Sequence, residues 1–139
     1  MENITHPTIT STLVPGSGHF RSLRRHFDFY GIVLERQIGA HMHYLCENYA
    51  GGPWDFFQLG NGGCYLAPTH QQTYHLVVGG NGFDNTLDAD TAGIVVTLFT
   101  LSHMSFRFPS VAVFAERFHQ LRHFASEHPN RRIVLAAID

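Results

Sequence analysis

Apolar and polar positions alternate along this chain with two different periods. Phe20, Leu23 and Phe27 fall at helical spacing and predict a short helix over 21–29, with Gly31 separating it from the next segment. Over 32–49 the helical period is sustained: Leu34, Ile38, Met42, Leu45 and Tyr49 share one face, and Gly51-Gly52-Pro53 stops the element. The period then shortens to that of strands. Residues 54–59 (Trp-Asp-Phe-Phe-Gln-Leu) and 64–67 (Cys-Tyr-Leu-Ala) flank Gly60-Asn61-Gly62-Gly63, a strand–turn–strand signal. Residues 74–78 predict a third strand, closed by Gly79-Gly80-Asn81-Gly82. Three consecutive short strands predict a three-stranded antiparallel meander.

The remainder is helical in pattern. Asp88 or Asp90 can cap a helix running to about His103, each placing its charge at the positive end. Another starts after Pro109 and Ser110, with a stripe of Val113, Phe114, Phe118, Leu121 and Phe124. Asn130, just past Pro129, caps a final short helix containing Ile133, Val134 and Ala137. Residues 1–18, rich in Thr, Ser, Pro and Gly, are expected to form a flexible leader. Residues 19–139 then form a single α+β domain of one small sheet and four to five helices. No repeat, linker or second domain is visible.

Composition narrows the function. The chain has 139 residues, which is the size of one domain, and nets −2 from 9 basic and 11 acidic residues. All nine bases are Arg, and only 14% of residues are charged. That is too little positive charge to hold nucleic acid mainly by phosphate neutralisation. It is also too little negative charge to imitate a duplex. A domain this long spans roughly 35–40 Å, and a duplex of that length presents about 20 phosphates. Residues 1–18 lack the features of a signal peptide, and no apolar run reaches membrane-spanning length, so no membrane association is expected. Cys46 and Cys64 form no Cys-x-x-Cys pair and read as small buried apolar residues of a protein in a reducing cytoplasm.

The candidate chemistry is thin. His119 and His123 share a helix face and, with His41 and His43, can in principle ligate zinc. However, the intervening Gln120-Leu121-Arg122 lacks the glutamate of a metalloprotease and carries a cation, so a histidine-based metal-dependent hydrolase stands only as the alternative reading. No serine lies in a Gly-x-Ser-x-Gly elbow. Cys64, near His70 and His75 in sequence, reads as hairpin packing before it reads as a nucleophile. Residues 79–82 match no phosphate-binding loop and read as a sharp turn. Two charge groups remain as candidate partner-facing residues: Arg21, Arg24 and Arg25 on the first helix, and Asp84, Asp88 and Asp90 around the start of the helix running to about His103, together with the terminal Asp139. No catalytic constellation and no cofactor site emerges.

The run from Gly51 to Pro68, GGPWDFFQLGNGGCYLAP, resembles the core motif of the ArdB/KlcA antirestriction family, GGxWxFYxLSNGGFYMAP. A second block, Gly80-Asn81-Gly82-Phe83-Asp84 running into 89–94 and Thr97-Leu98, is similar to the family's second motif. With Arg25-His26-Phe27, Glu127-His128-Pro129 and the terminal Ala-Ile-Asp, the resemblance covers about residues 25–139. Gly60, Cys64 and Asn85 depart from the pattern without removing a catalytic group. Within the motifs, Trp54 is expected in the core, Asn61, Gly62 and Gly63 in the turn, and Asn81, Gly82 and Phe83 in a structural role. The resemblance implies a compact α+β protein of plasmids, other mobile elements or genomic islands, without a cofactor. It would act in the bacterial cytoplasm to protect incoming DNA from type I restriction–modification enzymes, without mimicking DNA. Its partner would be that enzyme, directly or indirectly. A monomer or weak homodimer is expected, and direct DNA contact through the Arg cluster is an open alternative.

Overall fold

In the computed structural model, which describes residues 8–139, the elements run β1 (Ser11–Val14), α1 (His19–Phe27), α2 (Tyr30–Leu45), β2 (Trp54–Leu59), β3 (Cys64–Pro68), β4 (Thr73–Val78), β5 (Phe83–Asp88), α3 (Ala89–Arg107), α4 (Ala112–Ser126) and α5 (Arg131–Ile138). A single 3-10 turn, Gly16–Gly18, leads into α1. The architecture is the α+β class the pattern predicts, in one domain. It holds two small antiparallel sheets, of order β1-β2-β3 and β4-β5.

A three-stranded antiparallel sheet is present, but it is not the expected meander of consecutive strands. The third predicted strand, β4, does not join the hairpin; it pairs with β5 in register Val78↔Phe83 to Thr73↔Asp88. The third strand of the first sheet is β1, drawn from residues expected in a loose leader, with Ser11 opposite Leu59 and Val14 opposite Phe56. The rest of that leader, residues 1–7, lies outside the described residues.

Helix α3 is the reason β4 is displaced. Thr97 Oγ1 donates to the Leu66 carbonyl and accepts from the Leu66 N–H, both at 3.2 Å, so one hydroxyl satisfies both backbone groups at the middle of β3's open edge. Gly93, one turn earlier, permits the approach: a Cβ there would strike the Leu66 carbonyl and come within 2.6 Å of Ala67 Cα. With its edge occupied and every residue buried, β3 has no place for another strand.

The core gathers around α3, in which Ala92, Ile94, Val95, Val96, Leu98, Leu101 and Met104 are fully buried. Asp88 caps the helix as predicted, its side chain accepting from Thr91 N–H at 2.8 Å. The α2 stripe of Leu34, Ile38, Met42 and Leu45 is buried. That helix nevertheless ends at Leu45, well before Gly51. Cys46 turns extended and bridges to Leu76, while Asn48 Oδ1 accepts from His75 N–H at 2.9 Å, so backbone and side chain together serve the edge of β4. Nor does Gly31 separate the first two helices. It lies inside α2, where its missing Cβ leaves room for the Leu23 carbonyl of α1. The break is Asp28, at φ 55°. Asn130 precedes α5 without capping it; its amide donates instead to Thr91 Oγ1 at 2.9 Å.

Candidate interaction surface

The hairpin motif is held against α4 by a chain of polar contacts. Gly62 takes φ +93°, and Asn61 Oδ1 accepts from Gly63 N–H at 3.0 Å, which sets the turn between β2 and β3. Asn61 Nδ2 donates to the Gln120 carbonyl at 2.9 Å, and Gln120 Nε2 returns a bond to the Asn61 carbonyl at 3.1 Å. Arg117 Nη1 donates to Gln120 Oε1, and Arg117 Nε to His26 Nδ1 at 2.8 Å. Because Nδ1 accepts, His26 carries its proton on Nε2, which donates to Gln58 Oε1 at 2.7 Å. Burial first, then the charges of Arg117 and Arg25, hold His26 below its ordinary value, against the opposing bond to Gln58. Gly63 is packed where a Cβ would meet Gln120 Cβ at 2.9 Å. Asn61, Gly62 and Gly63 therefore both build the turn and dock it.

Trp54 sits at the margin of the core, half-buried, with its indole N–H donating to Tyr49 Oη at 2.8 Å. Cys64 is completely buried and its thiol is pushed up to about 12 by desolvation. That is the state of a packing residue, not a nucleophile. In the second motif, Asn81 Nδ2 donates to the Ala136 and Ala137 carbonyls and so ties the β4–β5 turn to α5, while its Oδ1 accepts from Phe83 N–H. Gly82 takes φ +76°, and Phe83 is buried.

The candidate acids are largely engaged by the fold. Asp84 receives His75 Nε2 at 2.5 Å, and Asp88 caps α3. Asp90 accepts from Tyr65 Oη at 2.5 Å and from His128 Nε2 at 2.9 Å. His128 Nδ1 accepts from Asn130 N–H, which places the ring proton on the Asp90 side. Burial and that Asp90 bond push the Tyr65 phenol well above its ordinary range. The three acids thus form no single patch of free carboxylates. Asp139 closes α5 and is exposed.

The Arg cluster is different. Arg21, Arg24 and Arg25 are all exposed on α1, and among the described residues none makes an ion pair. Around them stand aromatic and aliphatic groups that the core does not take up. Phe20, which shares its helical spacing with the buried Leu23 and Phe27, is 59% exposed; Phe29 is 78% and Ile32 54% exposed. The Arg24 guanidinium lies over the Phe29 ring, 5.5 Å from its centroid. Phe20, Leu23, Arg24, Asp28, Phe29 and Ile32 line a small cleft at this corner. The sequence offers one signal for it: Phe29 and Ile32 fall out of phase with the buried stripes.

The predicted histidine pairs do not assemble a centre. His119 and His123 are exposed on α4, whereas His41 Nδ1 bonds Thr100 Oγ1 at 2.8 Å on α3. Among the described residues, no three His, Cys, Asp or Glu side chains converge in a way that could hold a metal ion. None of the described helices is long and apolar enough to cross a membrane.

The hairpin docked on α4, the Leu66 backbone met by the Thr97 hydroxyl and the second small sheet tied to the C-terminal helix set the arrangement that comparison with known proteins identifies. A family model described as "Antirestriction protein" matches residues 47–139, and the chain belongs to this family. It is 44% identical over 108 residues to an antirestriction protein KlcA of Escherichia coli, covering 76% of this chain and 74% of that protein. It is 35% identical over 135 residues to the E. coli K12 protein YfjX, whose function is uncharacterised, covering 94% and 88%. Its structure superposes with a TM-score of 0.89, at 34% identity over 99% of this chain and 100% of the other, on a solved structure. That structure is one of the KlcA and ArdB proteins, described as showing a novel fold and antirestriction activity against type I DNA restriction systems in vivo but not in vitro.

Proposed function

We propose that this protein protects incoming mobile-element or phage DNA in the bacterial cytoplasm by impairing type I restriction–modification enzymes, acting as a binding protein and not as an enzyme. The observation that carries this reading is the near-complete structural match to proteins active against type I systems in vivo. Their inactivity in vitro favours a mechanism that needs a cellular component, and so a surface that recognises a partner. Charge supports the same view. A net charge of −2, with most acids of the candidate cluster already bonded inside the fold, is a poor copy of a phosphate lattice. The test is the plating of unmodified phage on cells with a type I system, with and without the protein. Plating should rise toward that of modified phage; unchanged restriction at good expression would overturn the reading.

A further inference from the structure

Four of the eight large apolar side chains that stand exposed among the described residues fall between residues 20 and 33: Phe20, Phe29, Ile32 and Val33. A surface helix that satisfied only its own fold would turn these positions to polar residues. The same stretch carries Arg21, Arg24 and Arg25 against Asp28, a local charge of +2 in a chain that nets −2. Aromatic and Arg side chains around a cleft are the composition of contact hot spots. Arg24 is pre-positioned by its stacking on Phe29, so less conformational freedom is lost when a partner arrives.

The backbone adds an independent sign. Asp28 sits at φ 55°, ψ −129°, the one non-glycine residue with positive φ among those described. Strain of this kind collects at functional sites. Here it joins α1 to α2 so abruptly that Phe29, the next residue, is thrown out into solvent instead of packing beneath the helices.

We propose that this corner of α1 and α2 is a docking site for an acidic, amphipathic segment of a partner protein. One bulky apolar side chain of that segment enters the cleft of Phe20, Leu23, Phe29 and Ile32, and flanking carboxylates meet Arg21, Arg24 and Arg25. This deepens the binding-protein reading above and rests on it only for the biological role. The occupant is a protein because the cleft is aliphatic as well as aromatic, with Leu23 and Ile32 beside Phe20 and Phe29, a lining that suits an apolar side chain and offers a phosphate backbone little. A second copy of the same face would bring arginine against arginine.

The experiment uses the whole protein, isotope-labelled for NMR, and a fluorescein-tagged peptide of about twelve residues, three helical turns. The peptide carries Leu and Trp one turn apart, flanked by Glu. Shifts should concentrate at Phe20, Arg24, Phe29 and Ile32, and affinity should fall with added salt. Phe29→Ala, and separately Arg24→Glu with Arg25→Glu, should each weaken binding about tenfold or more at an unchanged Tm. Replacing the peptide's Glu by Gln should weaken it comparably. Binding elsewhere on the surface, equal binding of the Gln peptide, or tighter binding of an oligo(dT) strand at the same residues would overturn the proposal. Phage plating with the same variants separates the two readings. Wild-type protein that fails to protect removes the antirestriction role and leaves the peptide result standing. Variants that lose the peptide yet still protect remove this surface from that role alone.

Discussion

Two regions of this protein treat their polar and aromatic groups in opposite ways. At the β2–β3 turn, Asn61, Gln120, Arg117, His26 and Gln58 form an unbroken run of hydrogen bonds. At the α1–α2 corner, three arginines make no ion pair among the described residues and two phenylalanines face solvent. The difference teaches that a long, recognisable motif can be a record of folding constraints. The turn is distinctive because the side chains of Asn61, Gln120 and Gln58 all bond within the fold. The corner carries no named motif, yet it holds the groups available to something outside the chain.

Substitution can break this contrast. The largest effect is expected where α3 meets the hairpin. Gly93→Val drives a side chain into the Leu66 carbonyl and Ala67, and should cost about 3 kcal/mol and lower Tm by roughly 10 °C, read by calorimetry. A Tm within a few degrees of the parent would mean that α3 does not rest on β3 as described. Next comes Asn61→Ala, which strips two side-chain bonds, one from the turn and one from its dock, and should cost about 2 kcal/mol by urea denaturation. Thr97→Val keeps the shape but leaves the Leu66 N–H and carbonyl unpaired, for a similar loss of about 2 kcal/mol.

A smaller effect should appear in the pH profile. The folded state holds His26, and also His41, below the ordinary 6.5, chiefly by burial. Between the ordinary and folded values the unfolded chain binds more protons, so stability is greatest above 6.5 and falls as pH drops through the lowered values. Denaturation midpoints measured from neutral pH downward should show this decline, and His26→Gln should flatten part of it. The smallest effect on stability belongs to the corner. Phe29→Ser and Arg24→Glu should each stay within about 0.5 kcal/mol of the parent, while protection against restriction is lost. A large destabilisation there would return these residues to the fold and erase the contrast.

The sequence made most elements visible, for reasons that also explain what it hid. The hairpin strands and the α2 stripe announce themselves because burial on one side imposes a period. β1 does not: Ser11, Thr12 and Leu13 are all exposed, and the strand owes its existence to pairing with β2. β5 shows only Phe83 and Leu87 turned inward, four residues apart, with Asp and Asn between, a spacing that suits a helix as well as a strand. The true partner of β4 was hidden because the closure of β3 comes from Thr97, a residue whose hydroxyl interrupts an apolar run without showing where it will bond. At the candidate surface, the arginines stood out by charge. Phe20 was disguised by falling on a helical stripe that the fold leaves partly outside.

The closure of β3 by Thr97 also sets an order of events. The hydroxyl lies 31 residues downstream of the strand it seals, so a growing chain presents the hairpin before its edge can be covered. Until α3 has emerged, the backbone of Leu66 offers an unpaired donor and acceptor to any neighbouring chain. The yield of soluble protein at high rates of synthesis therefore depends on how soon α3 arrives, and slow codons placed between the hairpin and α3 should lower that yield even though the finished protein is unchanged.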